Sequence, residues 1–146
     1  MTDAMLHIIN PFNEEEVVAL PLLQANDVDA VVKRARNAYA AWSVTPITER
    51  IAACQRFMTA FEAMRDDVAK NITLQMGKPL QQSQGEVSGM LDRAAYMISI
   101  AEETLADEFV PDKPGFKRYI RHEPLGVVLD IAAWNYPLLI AVNVVV

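Results

Sequence analysis

The chain has 146 residues, 52% hydrophobic and 22% charged, which is enough apolar material to build one hydrophobic core. Its formal net charge of −6, without a basic stripe, argues against a partner bound through nucleic-acid phosphates. No signal peptide opens the sequence, and its longest apolar stretch, 138–146, is too short for a membrane helix, so we expect a cytoplasmic protein without a membrane partner.

The first element predicted along the chain is a β-hairpin over 6–23. Two short apolar runs, Leu6-His7-Ile8-Ile9 and Val17-Val18-Ala19-Leu20, lie on either side of Asn10-Pro11, a pair that favours a turn. His7 in the first run and His122 in a later predicted strand have no partner at ligand spacing. We therefore expect both histidines to be solvated or locally hydrogen-bonded, and we predict no metal site.

Amphipathic helices are predicted next, over 27–106, because apolar side chains recur at intervals of three and four residues. The first helix follows a stripe from Val28 to Trp42, with Asn26 as its predicted N-cap. Thr45 is predicted to cap the second helix, which starts at Pro46 and runs to about residue 64. Each helix thus has one apolar face for a core.

Two further helices complete this region. Asp66 or Asp67 is expected to cap the third, which Gly77-Lys78-Pro79 ends in the usual order of glycine and then proline. Because Gly77-Lys78 lacks the upstream glycine of a phosphate-binding loop, we interpret it as a helix end only. The fourth and longest helix spans about 80–106, and its Gly85-x3-Gly89 spacing is expected to allow close helix packing.

The last third of the sequence changes in character. Residues 107–115, with two prolines, are predicted to form a loop, and 116–123 form a strand whose many charges suit an exposed ribbon or a sheet edge. The run 126–131, in which Val127-Val128-Leu129 is continuously apolar, instead indicates a strand buried on both faces of a parallel sheet, and Pro137 begins the crossover helix expected after it. This βα unit, 126–146, lacks a second parallel strand, so we expect a fragment of a longer protein.

Six short motifs follow one another along the chain. They are Asn10-Pro11, Ala41-Trp42 before Glu49-Arg50, Met76-Gly77-Lys78-Pro79, Gly85-Glu86-Val87, Glu123-Pro124-Leu125-Gly126-Val127-Val128 and Trp134-Asn135-Tyr136-Pro137. In this order the motifs resemble the N-terminal third of the NAD(P)-dependent aldehyde dehydrogenase superfamily, and they cover essentially the whole chain. Each motif alone is weak, whereas the ordered set is a strong signal. Ala132-Ala133 departs from the family pattern, in which many members have a proline before the tryptophan.

The resemblance implies an α/β fold in which the hairpin and helices lead into the first βα unit of an incomplete Rossmann-like parallel sheet, without the catalytic domain. It implies oxidation of an aldehyde to a carboxylic acid with NAD or NADP, through a cysteine thiohemiacetal that a glutamate-activated water resolves. In the family that cysteine and glutamate lie beyond Val146, so the chain alone is expected to be inactive. The strand 116–123 would belong to the oligomerisation ribbon of a homo-oligomer, a dimer or tetramer.

The resemblance also assigns candidate site residues. Asn135 matches the family asparagine whose side-chain amide, with the backbone N–H of the cysteine, forms the oxyanion hole. Such a preorganised donor contributes on the order of 3–4 kcal/mol, and an amide provides it without titrating. Ile131, Ala132 and Trp134, with Asn135, match residues that bind the cofactor at the end of the strand. Tyr136 matches a residue of the aldehyde tunnel.

The residues themselves allow other interpretations. Asn135, just before Pro137, could be a helix N-cap, and Trp134 could anchor the core beside a buried strand. Cys54, the single cysteine, lies on an apolar helix stripe with no basic neighbour, so we expect a small core residue and not a nucleophile. The alternative to a dehydrogenase portion is a non-catalytic helical interaction module or a functionless truncated product.

Overall fold

The structure, a computed structural model, describes residues 4–146 as a hairpin, a group of helices, a short ribbon and a last helix. The elements of these residues are β1 (Met5–Ile9), β2 (Glu16–Pro21), α1 (Ala25–Trp42), α2 (Ile47–Ala63), α3 (Arg65–Met76), α4 (Leu80–Thr104), β3 (Glu108–Phe109), β4 (Tyr119–Ile120) and α5 (Pro137–Val145). None of the helices within residues 4–146 has both the length and the hydropathy needed to cross a bilayer.

The predicted N-terminal hairpin is confirmed. β1 and β2 pair antiparallel, with Met5 opposite Pro21 and an irregularity in register after Ile8. At the turn, Oδ1 of Asn10 accepts a hydrogen bond from the Phe12 N–H at 2.9 Å, which is the local bond that makes asparagine a turn residue. The Asn10 side chain therefore helps to set the direction of the second strand.

The predicted helices are confirmed, but their predicted caps are wrong. Gln24, and not Asn26, is the N-cap of α1, because the Asp27 carboxylate accepts the Gln24 N–H at 3.0 Å and starts the helix earlier. The Thr45 hydroxyl donates back to the Ala41 carbonyl at 3.0 Å, so it serves the end of α1 and leaves Pro46 at the N-cap of α2.

The third predicted cap is also wrong, and the end of α3 is as predicted. Asp66 and Asp67 lie within the first turn of α3, where their charges favour the positive end of the helix dipole, and Met64 occupies the cap position. At the other end, Gly77 adopts a left-handed φ of 76° and donates its N–H to the Thr73 carbonyl at 2.9 Å. This arrangement is a glycine C-cap.

The core lies between α2, α4 and α5. Met90 and Ala94 on α4 and Val142 on α5 are buried together, with Phe57 and Phe61 of α2 packed against them. Helix α3 packs against α4 as well, with Ala69 and Ile72 buried on α3 and Val87 buried on α4. Of the two helix glycines, Gly89 faces Leu139 of α5, whereas a Cβ at Gly85 would meet open space. Close packing is therefore confirmed at Gly89 only.

The segments after α4 differ most from expectation. Residues 108–109 of the predicted loop pair with Tyr119–Ile120, and these two residues are the only part of the predicted strand 116–123 that forms a ladder within residues 4–146. The predicted strand 126–131 forms no ladder within residues 4–146, and Leu129 and Ile131 are each 82% exposed. A buried parallel strand needs neighbours on both sides, and the described residues provide none.

Candidate active-site segment

The residues assigned by resemblance lie together on one exposed segment, 131–136, directly before α5. Ile131 and Trp134 are 82% and 75% exposed, Asn135 and Tyr136 are exposed, and Ala132 is partly buried. The large exposed fraction of Trp134 contradicts its interpretation as a core anchor. A ligand approaching this segment would meet apolar side chains and an amide.

Asn135 does not cap α5. Tyr136 occupies the N-cap position without a side-chain capping bond, and Pro137 is the first helical residue. Within residues 4–146, the Asn135 side-chain amide makes no hydrogen bond, while its backbone carbonyl accepts one from Lys78 Nζ at 2.7 Å. The backbone of Asn135 is therefore held, and its side-chain donor is available.

A buried ion pair holds this segment. Lys78 follows the C-cap of α3 and Glu86 lies on α4, and the two residues are only 8% and 3% exposed. Nζ of Lys78 donates directly to Oε2 of Glu86. Charges so deeply buried are retained in folded proteins when they are paired and further hydrogen-bonded, and here both conditions are met.

Glu86 supplies the cap that α5 lacks. Its second oxygen, Oε1, accepts the N–H of Leu138 at 3.0 Å. Leu138 is the second residue of α5, so its N–H is one of the donors without an intrahelical partner. A carboxylate at this position also complements the positive end of the helix dipole. A side chain of α4 thus caps the N-terminus of α5.

Lys78 holds the residues just before the helix. Besides the carbonyl of Asn135, its ammonium group lies 3.9 Å from the centroid of the Tyr136 ring, a distance typical of a cation–π contact. The ion pair thus grips the chain from Asn135 to Leu138. Both charged residues occur within motifs quoted above, yet the sequence interpretation treated Gly77-Lys78 as a helix end only.

One sequence signal could have revealed this pair. Glu86 lies four residues before Met90 and eight before Ala94, and so falls on the buried face of α4. A carboxylate on a buried helix face requires a cationic or hydrogen-bonding partner. The periodicity therefore pointed to a partner, although it could not identify Lys78.

Cys54 requires a correction. It is partly buried on α2 and lines an apolar groove of about 400 Å³ together with Arg50, which precedes it by one helical turn. The expectation of no basic neighbour on that face is therefore wrong. Nε of Arg50 is buried without a hydrogen-bond partner among residues 4–146. The rest of the groove is formed mostly by apolar side chains from α1, α2, α4 and α5, including Trp42 and Met97.

Both histidines are locally bonded, as expected. Nδ1 of His7 lies 2.6 Å from the Glu16 carboxylate across the hairpin. Nδ1 of His122 lies 3.2 Å from the Ala106 carbonyl, and its Nε2 lies 3.5 Å from the Glu108 carboxylate. These contacts account for the two side chains without a ligand.

Known proteins with a similar sequence and structure identify the family of this chain. The aldehyde dehydrogenase family model matches residues 1–146. The structure superposes on betaine aldehyde dehydrogenase from Staphylococcus aureus in complex with NAD+ with a TM-score of 0.87 and 27% identity, covering 95% of this chain and 28% of that one. The chain therefore belongs to the aldehyde dehydrogenase family, and the resemblance seen in the motifs is confirmed. The fold is that of the N-terminal part of the family's cofactor-binding domain.

Two of its curated relatives are semialdehyde dehydrogenases. The chain is 35% identical over 130 residues to succinate-semialdehyde dehydrogenase (NADP+) from Deinococcus radiodurans, covering 89% of this chain and 27% of that protein. It is 31% identical over 140 residues to the acylating, mitochondrial methylmalonate-semialdehyde dehydrogenase of Arabidopsis thaliana, covering 95% of this chain and 23% of that protein. The chain thus spans about a quarter of the length of these relatives.

Proposed function

We propose that this chain supplies an oxyanion-binding amide and part of the cofactor cleft to an enzyme that oxidises an aldehyde to a carboxylic acid with NAD or NADP. The observation that supports this role is the presentation of Asn135, whose backbone is held by Lys78 while its side-chain amide is exposed. The substrate is an aldehyde, and the names of the relatives in Deinococcus and Arabidopsis favour one that also carries a carboxylate.

Asn135 acts on the carbonyl oxygen of the substrate. Its NH2 group donates a hydrogen bond that strengthens as the oxygen acquires negative charge, and the donor does not change protonation with pH. Because its backbone is anchored before the reaction, little reorganisation is needed when the charge develops. Tyr136, next in the chain, is proposed to form part of the wall against which the aldehyde lies.

The exposed residues before Asn135 fit a dinucleotide. Ile131 and Trp134 offer apolar surface, and the small Ala132 leaves room for a ribose at the end of an extended run. We therefore assign cofactor contacts to Ile131, Ala132, Trp134 and Asn135. When bound, NAD or NADP accepts a hydride from the aldehyde carbon. The relatives include an enzyme named for NADP+ and a structure holding NAD+, which supports this class of cofactor.

The proposal includes a homo-oligomer in the cytoplasm. The ribbon of β3 and β4 exposes Phe109 and Ile120, at 69% and 54%, which is the kind of apolar surface that a neighbouring subunit covers. The charged side chains beside these two residues suit the polar rim of such an interface. The homo-oligomer, a dimer or tetramer, and the cytoplasmic location are expectations of the sequence analysis, and they are part of the proposal.

The test is Asn135→Ala in the enzyme that contains this chain at its N-terminus. The kcat should fall by about 10²–10³-fold because one oxyanion donor is lost, while cofactor affinity changes much less. Asn143→Ala is the matched control, since among residues 4–146 the Asn143 amide bonds only to carbonyls of its own helix, and it should leave kcat within about two-fold. A folded Asn135→Ala enzyme with nearly normal kcat and an unchanged burst of hydride transfer would show that the proposed role is wrong.

A further inference from the structure

We propose that the buried Lys78–Glu86 pair is a positioning device for the oxyanion amide of Asn135. This inference rests on the proposed function of Asn135 and adds two residues that do not touch the substrate. The pair contacts the chain on both sides of Tyr136: Lys78 holds the carbonyl of Asn135 at 2.7 Å, and Glu86 holds the N–H of Leu138 at 3.0 Å. The turn between these contacts is thereby fixed at two points.

The anchors themselves are rigid. Glu86 lies in the middle of the first half of α4, 3% exposed, and Lys78 lies between the glycine C-cap of α3 and the proline that precedes α4. Both therefore take their positions from packed helices and not from the loop that they hold. Movement of the Asn135 backbone would require breaking the contact with Lys78 or displacing the helix junction.

Stability alone is a weak explanation for such a pair. Removing two charges from water is costly, and replacing a buried ion pair by apolar side chains of similar size is often neutral or stabilising. What the charged pair provides, and apolar side chains would not, is directional bonding to one carbonyl and one N–H. Every further polar contact that the pair makes within residues 4–146 is to residues 135–138.

The consequence for catalysis is geometric. The side-chain amide of Asn135 departs from the backbone that Lys78 holds, so a shift of that backbone moves the NH2 donor relative to the substrate oxygen. A misplacement of about 1 Å can lower a rate by roughly 10²-fold. Loss of the pair should therefore lower kcat without removing any group that contacts the substrate.

The test replaces the pair by apolar side chains, Lys78→Met with Glu86→Leu, in the full enzyme. We expect kcat to fall by about 10–10²-fold while the melting temperature changes little, because the lost cap of α5 offsets the relief from burying two charges. The same double change made on top of Asn135→Ala should alter kcat by less than about two-fold, because the donor that it positions is already gone. The Leu138 amide should exchange with deuterium faster in the double variant, a readout that is independent of turnover.

The matched control is Lys70→Met with Glu103→Leu, which makes the same chemical changes at exposed positions of α3 and α4. It should leave kcat and the exchange of Leu138 unchanged. If the apolar pair lowers kcat by the same factor with and without Asn135, or leaves the Leu138 exchange unaltered, the positioning role is wrong. If Asn135→Ala itself preserves kcat, the proposed function fails instead.

A second variant covers the case in which the apolar pair does not fold. Glu86→Gln keeps the shape and one oxygen acceptor for Leu138 but weakens the hold on Lys78. It should lower kcat less than the double change does, again only when Asn135 is present. An equal loss of kcat with and without Asn135 would contradict the inference in this variant too.

Discussion

At the scale of single residues, the site combines an available side chain with a constrained backbone. Asn135 exposes its amide, and the two charged residues that constrain it are almost fully buried. The position of an exposed side chain thus depends on polar contacts in the interior. Cys54 differs from Asn135, because its thiol lies in an apolar groove and makes no hydrogen bond to the Lys78–Glu86 pair.

The position of Cys54 predicts that the 146-residue chain oxidises no aldehyde by itself. Its groove is lined by Met97 and later residues of α4, whereas the Asn135 segment is held at Glu86, roughly 16 Å away along the helix axis. We therefore do not expect a thiol in this groove to reach a carbonyl bound by the Asn135 amide. NAD or NADP with aliphatic, aromatic and semialdehyde substrates should give no reduced cofactor above the blank.

Cys54→Ser distinguishes the ways in which this prediction could fail. Turnover that disappears with this substitution would identify Cys54 as a nucleophile and contradict the expectation that it has no catalytic role. Turnover that persists in Cys54→Ser would show that the chain has a catalytic group outside the family mechanism. The absence of turnover in both proteins is the expected result.

At the scale of elements, Gly77 ends α3 and brings the chain against the hairpin turn. Its left-handed φ of 76° would strain any other residue, and an added Cβ would lie 2.9 Å from Cγ of Pro11. We expect Gly77→Ala to lower the free energy of unfolding by about 1–2 kcal/mol from the backbone conformation alone. Displacement of Pro11 should add to that loss. Urea unfolding measures the change.

Gly85→Ala is the control for that substitution. Gly85 lies inside α4, and a Cβ there would meet no atom within 4 Å, so alanine should raise the free energy of unfolding by about 0.5–1 kcal/mol through helix propensity. The two substitutions are chemically identical and should have opposite signs. Destabilisation by Gly85→Ala, or an unchanged stability of Gly77→Ala, would contradict this account of the two glycines.

The sequence predicted elements well where a local pattern determines them. Helices α1 to α4 follow from apolar side chains at helical spacing, and Gly77 and Pro79 determine where α3 ends. The caps were less predictable, because Gln24 and Asp27 cap α1 through a reciprocal arrangement that a search for single cap residues misses. The strand 126–131 could not form because ladder bonds come from neighbouring strands.

In the candidate site, too, the features set by neighbouring residues were predictable and those set by distant residues were not. The order of motifs located Asn135 and its neighbours, since these residues are contiguous in sequence. The contact between the Lys78–Glu86 pair and the start of α5 joins residues far apart in the sequence. Glu86 and Leu138 are separated by 52 positions. No local pattern encodes such a contact. The apolar face of α4 indicated only that Glu86 needs a partner.

At the scale of the whole molecule, the core and the candidate site are adjacent but distinct. The core lies among α2, α4 and α5, and α5 joins the two because its N-terminus is held by Glu86 while Val142 is buried with Met90 and Ala94. The segment before α5 contributes little to this core. Its apolar side chains instead face solvent, among them Leu125 at 93% and Leu129 at 82% exposed.

This exposed apolar segment predicts that the 146-residue chain self-associates. Most side chains from Leu125 to Trp134 are apolar and exposed, and the segment has no ladder bonds among residues 4–146, so both apolar surface and backbone groups are available to another copy. Light scattering at roughly tens of micromolar should detect species larger than a monomer. Leu125→Ser with Leu129→Ser should reduce the mean mass, whereas Phe12→Ser, at an isolated residue 92% exposed in the hairpin turn, should not. A monodisperse monomer with cooperative thermal unfolding would contradict the prediction, and an equal effect of the Phe12 substitution would show that association does not depend on this segment.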